Sequence, residues 1–168
     1  PQKGFGETQK KSGAAFIIGD NMMPRHVKGI RLPKKFLRGI YLDSAHGTRL
    51  EFVKKIIPQA KEAGINCFVV DVAPYKSMKP KINPSVIQEL KAAGIFTIAR
   101  VVAFQYGLEQ KTVEESHLQA IDRLVDLSLE AGFEEIQLDY IRFADGYTGL
   151  SLKEKYALIA SLLQRVRD

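Results

Sequence analysis

The stretch from residue 131 to residue 143, AGFEEIQLDYIRF, has the residue types and the spacing of a strand that carries chemistry at its end. Side chains alternate along a strand, so Glu135, Gln137 and Asp139 would share one face. In α/β folds the C-terminal ends of parallel strands border the ligand site. A carboxylate there can act as a nucleophile or as a general acid or base. Asp139 is therefore the first candidate for a catalytic residue.

Other predicted strand ends carry charged residues at matching positions. Two earlier strands end at Asp43 and Asp71, and a third has Arg100 near its end. Asp71 and Asp139 each lie seven residues after the glycine of an Ala-Gly helix stop. We expect all four side chains to converge on one edge of the sheet, with Asp71 as the second catalytic carboxylate.

The elements that would position these side chains follow from a repeat. Ala-Gly-apolar triplets lie between a helical pattern and a strand pattern at residues 63–65, 93–95 and 131–133. Strands separated by helices require right-handed parallel crossovers. The sequence therefore predicts an α/β fold of four parallel βα units. Two arrangements fit: a TIM-barrel-like partial barrel, since a full barrel needs roughly 200–250 residues, or an open doubly wound sheet.

Short motifs predict where the helices begin. Asn83 followed by Pro84 is typical of an N-cap and a first helical residue. Capping boxes, in which a hydroxyl and a Glu carboxylate each satisfy a backbone N–H, are predicted at residues 48–51, 112–115 and 151–154. Pro58 should kink or split the first helix.

Charge separates the chain into two parts. Residues 1–38 hold nine Lys or Arg against two acidic residues, which gives +7, and the rest holds 16 basic and 17 acidic residues, which gives −1. We interpret residues 1–36 as a basic flexible leader or linker and residues 37–168 as the folded domain. A nucleic-acid-binding domain needs its basic excess on the folded surface, so no nucleic-acid partner is expected.

The motifs that the sequence lacks narrow the function. There is no Cys/His cluster, no Gly-rich phosphate loop and no nucleophile elbow, so we expect neither a metal nor a cofactor. The single cysteine, Cys67, lies in an apolar strand pattern and cannot form an internal disulfide. No run is long and apolar enough to span a bilayer, so no stable membrane insertion is expected.

Four segments carry a resemblance to a known family. In order, RGIYLD, AGINCFVVDV, IFTIARVVAF and AGFEEIQLDYIRF resemble the first four strands of a bacterial glycoside hydrolase family with a TIM-barrel fold, first defined as a domain of unknown function. The resemblance covers about residues 37–168, the N-terminal half of that barrel. Residues 104–113 are shorter than the Trp-containing family segment, and Ala144 replaces the usual Pro. Completing the barrel would take a C-terminal half or self-association.

The resemblance implies an exported or envelope-associated bacterial protein that hydrolyses glycosidic bonds of a polysaccharide or oligosaccharide. Such enzymes use two carboxyl groups, as acid and base or as acid and nucleophile. Asp139 is the expected nucleophile or base, and Asp71 is the expected acid or sugar-hydroxyl acceptor. The expected substrate-binding residues are Asp43, His46, Tyr75, Arg100, Tyr106, Gln137 and Arg142.

Other interpretations stay open at this point. A non-catalytic carbohydrate-binding or interaction domain would keep the aromatic platforms without a second carboxyl group. A receiver or phosphate-binding domain would hold Mg²⁺ with strand-end acids, but it would want paired acids where Asp43 stands alone. Arg100 and Arg142 could bind an acidic sugar or form structural ion pairs. Tyr140 is expected to pack against a helix.

Overall fold

A computed structural model describes residues 36–74 and 77–167 of the chain. Most of the predicted leader and Tyr75 therefore lie outside the described residues. Within them, strands and helices alternate: β1 (Gly39–Leu42), α1 (Leu50–Glu62), β2 (Cys67–Asp71), α2 (Pro84–Ala92), β3 (Phe96–Val102), α3 (Glu115–Ala131), β4 (Glu135–Asp139) and α4 (Leu152–Arg167). The predicted α/β fold of four βα units is confirmed.

The four strands form one parallel sheet in the order β1-β2-β3-β4. The spatial order follows the chain order throughout, whereas a doubly wound sheet reverses its order at a switch point. Sequential order is that of consecutive strands in a βα barrel. The sheet is not closed, and within the described residues β1 and β4 each have a neighbouring strand on one side.

The helices cover one face of this sheet. Phe68 of β2 and Val101 of β3 are fully buried in one apolar cluster with helix residues such as Val53, Leu90 and Leu124. The alternate strand residues take no part in that cluster and point to the other face, here called the open face, which carries Tyr41, Cys67, Val69, Asp71, Ile98, Arg100 and Gln137.

The repeated helix stops have the backbone conformation that their glycines allow. Gly64, Gly94 and Gly132 have φ angles of +74°, +77° and +94°. A residue with a Cβ is strained in this left-handed region, so glycine ends each helix and turns the chain into the following strand. The helices α1, α2 and α3 therefore end in the same way, and each following strand begins at the same edge of the sheet.

The predicted helix starts are right in two cases and wrong in two. Asn83 accepts a hydrogen bond from the Ser85 amide (3.1 Å), and the Ser151–Glu154 box forms, with the Ser151 amide donating to Glu154 (2.7 Å). Thr48 instead donates to the Ser44 carbonyl, and α1 begins two residues later at Leu50. The box predicted at residues 112–115 also fails. The helix α3 begins at Glu115, the last residue of that box, and has no side-chain cap.

Two further features of the helices bear on the predictions. Pro58 lies inside α1 and does not split it. No helix within residues 36–74 and 77–167 has the length and apolarity that a membrane span requires.

Candidate functional site

Three charged side chains from three strands meet on the open face. Arg100 of β3 donates through Nη1 to Oδ1 of Asp71 on β2 (2.7 Å) and through Nε to Oδ2 of Asp139 on β4 (2.8 Å). The register explains the meeting, because Asp71 lies opposite Arg100, and Asp139 lies opposite Val102, two residues further along β3 and on the same face. The predicted convergence of these residues is confirmed, while their catalytic roles stay predictions.

Tyr41 adds a residue from β1, so all four strands contribute to this set. Its hydroxyl donates to Oδ2 of Asp71 (2.5 Å), and the Arg100 guanidinium lies 5.4 Å from its ring centroid. Removal of the hydroxyl from water and the hydrogen bond to Asp71 raise the pKa of Tyr41 to about 12. Tyr41, Asp71, Arg100 and Asp139 thus form a continuous line across the sheet, here called the polar ladder.

The ladder is a partly desolvated set of charges. The side chains of Asp71, Arg100 and Asp139 are 8%, 16% and 35% exposed. Burial opposes the charge on Arg100, but its hydrogen bonds to the two carboxylates and their negative charges outweigh burial and raise the pKa of Arg100 above its usual value. Two carboxylates share one guanidinium, so the three side chains together carry a net charge of −1.

The residue after Asp139 has an unusual backbone. Tyr140 has a φ of +54°, and its amide donates to Oδ1 of Asp139 (2.7 Å). Its ring lies 5.9 Å from the guanidinium of Arg100 and 5.8 Å from that of Arg142. The expectation that Tyr140 packs against a helix is wrong, because β4 ends at Asp139 and strand alternation ends with it. Positive φ at an aromatic residue stores strain, which is typical of functional sites.

Asp43 and His46 form a separate pair after β1. His46 Nδ1 lies 3.0 Å from both carboxylate oxygens of Asp43, and the His46 amide donates to the same carboxylate (2.9 Å). The backbone and side-chain hydrogen bonds from His46 lower the pKa of Asp43. The pair lies on the loop that follows the strand of Tyr41, beside the ladder and not in it.

The other predicted binding residues stand around the ladder. Gln137 lies opposite Arg100 in the register and is exposed. Arg142 bonds Asp145 (3.2 Å) and is half-exposed. Tyr106 is 66% exposed on the loop after β3. All three side chains are exposed enough to be accessible to a ligand.

A cavity beside the ladder contains residues that the sequence did not single out. It has a volume of about 160 Å³, and Asp71, Arg100, Gln105 and His117 line it. The Gln105 and His117 side chains also line an open groove of about 620 Å³ that includes Tyr106. Ala103 also lines both, so the cavity and the groove adjoin at these three residues.

Packing holds His117 in place at this junction. Its Nε2 donates to the Ala103 carbonyl (2.7 Å), and its ring stacks on that of Phe104 with 5.6 Å between the ring centroids. A carbonyl only accepts, so Nδ1 of the neutral ring is left as an acceptor. Single residues such as Gln105 and His117 give no sequence signal, because their role depends on tertiary contacts.

Within the described residues, no group of three or more His, Cys, Asp or Glu side chains could hold a metal ion. The polar groups of the ladder instead bond one another. The site therefore offers hydrogen-bond acceptors, an arginine and aromatic rings.

Comparison with known proteins adds information on the fold. No protein family matches the sequence, and no curated protein matches it. A crystal structure of a hypothetical protein from Ruminiclostridium thermocellum is similar, with 20% identity and a TM-score of 0.59 over 76% of this chain and 90% of that chain. Similarity at this identity supports the parallel α/β fold described above and carries no functional information.

Proposed function

We propose that this chain carries the substrate site of a glycoside hydrolase, with the polar ladder as its centre. The observation that carries the proposal is the pair of strand-end carboxylates, Asp71 and Asp139, held on one guanidinium. Two carboxyl groups close enough to flank one glycosidic bond are what this hydrolysis requires. The sequence resemblance to a glycoside hydrolase family points in the same direction.

In this proposal Asp139 is the nucleophile or general base, and Asp71 is the acid that protonates the leaving oxygen or an acceptor for a sugar hydroxyl group. Oδ1 and Oδ2 of Asp139 accept hydrogen bonds from the Tyr140 amide and from Arg100, which fix the direction of the carboxylate. Fixed orientation lowers the entropy cost of attack on the anomeric carbon. Arg100 in turn supplies one positive charge that offsets part of the negative charge of the two carboxylates.

A second candidate, a non-catalytic carbohydrate-binding domain, has its own supporting observation. All four carboxylate oxygens of Asp71 and Asp139 accept hydrogen bonds from this chain. Departure of the leaving group needs a proton donor, and the neutral donor of the ladder is Tyr41, whose pKa of about 12 makes it a weak acid. A ladder that only binds sugar hydroxyl groups would need no such acid.

The test uses the 168-residue chain with a panel of oligosaccharides, measuring both binding and newly formed reducing ends. Asp139→Asn keeps the size of the side chain but removes its charge and replaces one acceptor oxygen with an NH2 donor, so we expect hydrolysis to be lost and binding to persist. Glu51→Gln, an exposed change on α1, is the matched control and should leave both unchanged. Binding without hydrolysis in the unmodified chain would instead support the second candidate, and hydrolysis by Asp139→Asn would remove Asp139 from the mechanism.

A further inference from the structure

The charge distribution around the site bears on which sugars it can take. The guanidinium of Arg100 is neutralised by Asp71 and Asp139, and that of Arg142 lies against Asp145. The adjoining groove is lined by two further carboxylates, Glu109 and Glu114, and no Lys or Arg of the described residues lines it. An acidic sugar would bring its carboxylate into a region that is already net negative, and like charges repel.

The groove has the other properties of a ligand site. Its volume of about 620 Å³ falls in the usual range for small-molecule pockets, roughly 300–1,000 Å³. Tyr106 presents an exposed ring to it. The apolar C–H face of a sugar can stack on such a ring while the sugar hydroxyl groups reach carboxylate and amide groups beside it.

One buried polar atom points to a missing partner. The side-chain Nε2 of Gln105 is buried and has no hydrogen-bond partner among the described residues. Buried donors are nearly always satisfied in folded proteins, so an unsatisfied one calls for an explanation. Gln105 is only partly buried as a residue and lines both the cavity beside Asp71 and the groove, so rotation of its side chain would bring this amide to a ligand that crosses from one to the other.

We propose that the groove is a second sugar subsite, specific for neutral or amino-bearing units, and that the saccharide chain runs from the polar ladder past Gln105 onto Tyr106. The inference rests on the proposed function and adds its substrate class. The Gln105 amide donates to a sugar oxygen, Tyr106 stacks on the ring, and Glu109 and Glu114 accept from hydroxyl or ammonium groups.

The test measures binding of three tetrasaccharide probes to the full chain by calorimetry: a neutral glucose oligomer, a glucosamine oligomer and a galacturonic acid oligomer. We expect binding of the first two and none of the third. Gln105→Leu preserves side-chain size and should weaken neutral binding about tenfold, the effect of one lost hydrogen bond to a buried donor. Gln59→Leu, on the exposed surface of α1, is the matched control.

A charge-reversed variant tests the same subsite without changing Gln105. The double change Glu109→Lys and Glu114→Lys should weaken glucosamine binding and make galacturonate binding measurable, whereas Glu51→Lys on α1 should do neither. Preferential binding of galacturonate to the unmodified chain, or neutral binding unaffected by Gln105→Leu in a folded variant, would overturn the subsite and leave the proposed function standing. Failure of all three probes to bind the unmodified chain would count against both.

Discussion

The two faces of the sheet are built from alternate residues of the same strands and differ in polarity and in the contacts that their side chains make. In β2, Phe68 and Val70 point into the apolar cluster under the helices, while Val69 and Asp71 point to the open face. The covered face is apolar and closely packed, so it stabilises the fold. The open face places its charged groups in ion pairs near solvent, so stability constrains it less and it is available for binding.

The difference also separates two kinds of interaction. On the covered face no single contact dominates the packing, because each apolar side chain packs against several others. On the open face one residue, Arg100, joins β2, β3 and β4 through directional bonds. Loss of a packed residue should therefore reduce stability broadly, whereas loss of Arg100 should disconnect the ladder.

The largest expected effect contrasts neighbours in one strand. Phe68→Ala should lower the free energy of unfolding by about 3–5 kcal/mol, because the residue is fully buried and its loss leaves a cavity. Val69→Ala, on the open face and partly exposed, should cost about 1 kcal/mol. Urea unfolding of both variants measures the difference, and equal costs would contradict the division between the faces.

The next effect concerns the shared guanidinium. Arg100→Met should cost about 2–3 kcal/mol, because it leaves Asp71 and Asp139 without their cation, and partial exposure of Asp139 keeps the cost below that of a fully buried pair. Arg142→Met removes a half-exposed arginine and should change stability by about 0.5 kcal/mol or less. Chemical denaturation at pH 7 makes the comparison. A small effect at position 100 would show that the ladder does not contribute to the fold.

A smaller effect appears only in alkali. The pKa of Tyr41 is about 12 in the folded chain and ordinarily near 10, so its neutral form is favoured by folding. The stability that this supplies is complete below pH 10 and is lost as the pH rises towards 12. Tyr41→Phe should therefore show a weaker fall in unfolding free energy over this interval.

Ultraviolet absorbance at alkaline pH gives an independent readout of Tyr41. In the unmodified chain one phenol should ionise at a higher pH than the others, and this high-pH step should be missing in Tyr41→Phe. Tyr156→Phe, an exposed change on α4, is the control for the loss of one phenol. Persistence of the high-pH step in Tyr41→Phe would assign it to another tyrosine.

The smallest effect uses Cys67 as a reporter at the base of the open face. Burial, with the charges of Glu135 and Glu134, raises the pKa of this thiol to about 11. The thiolate is the reactive form, so a disulfide reagent at pH 8 should modify Cys67 slowly in the folded chain and rapidly in urea. Immediate modification of the folded chain would show that the base of the open face is accessible.

The sequence predicted the architecture well because its signals are local and repeated. The Ala-Gly stops at Gly64, Gly94 and Gly132 specify left-handed helix ends by themselves. The Asn83-Pro84 pair needs no tertiary contact to begin a helix. Equal spacing from these stops then placed Asp71 and Asp139 at one edge, so the centre of the candidate site followed from the same repeat.

The rest depended on contacts between segments that are distant in the chain. The positive φ of Tyr140 contradicts the alternation expected after Asp139, and no residue preference of tyrosine foretells it. The hydrogen bond from Tyr41 to Asp71 joins residues 30 positions apart. The box predicted at residues 48–51 failed because Arg49, and not Thr48, is the residue before the first helical residue, and the Thr48 hydroxyl bonds the Ser44 carbonyl in the preceding loop.

The two margins of the sheet, which have no further strand among residues 36–74 and 77–167, have a consequence for assembly. The margins β1 and β4 are different strands that run in the same direction, so a parallel union of β4 of one copy with β1 of the next joins unlike surfaces of successive copies. Antiparallel pairing of β1 with β1, or of β4 with β4, would join like surfaces and stop at two copies. Head-to-tail union closes into a ring if each step turns the copy by a fraction of a full circle, and otherwise continues as a fibril. For this four-stranded unit a half-circle step would give a closed pair of eight strands. The angle between neighbouring copies would thus decide between a finite particle and an endless one.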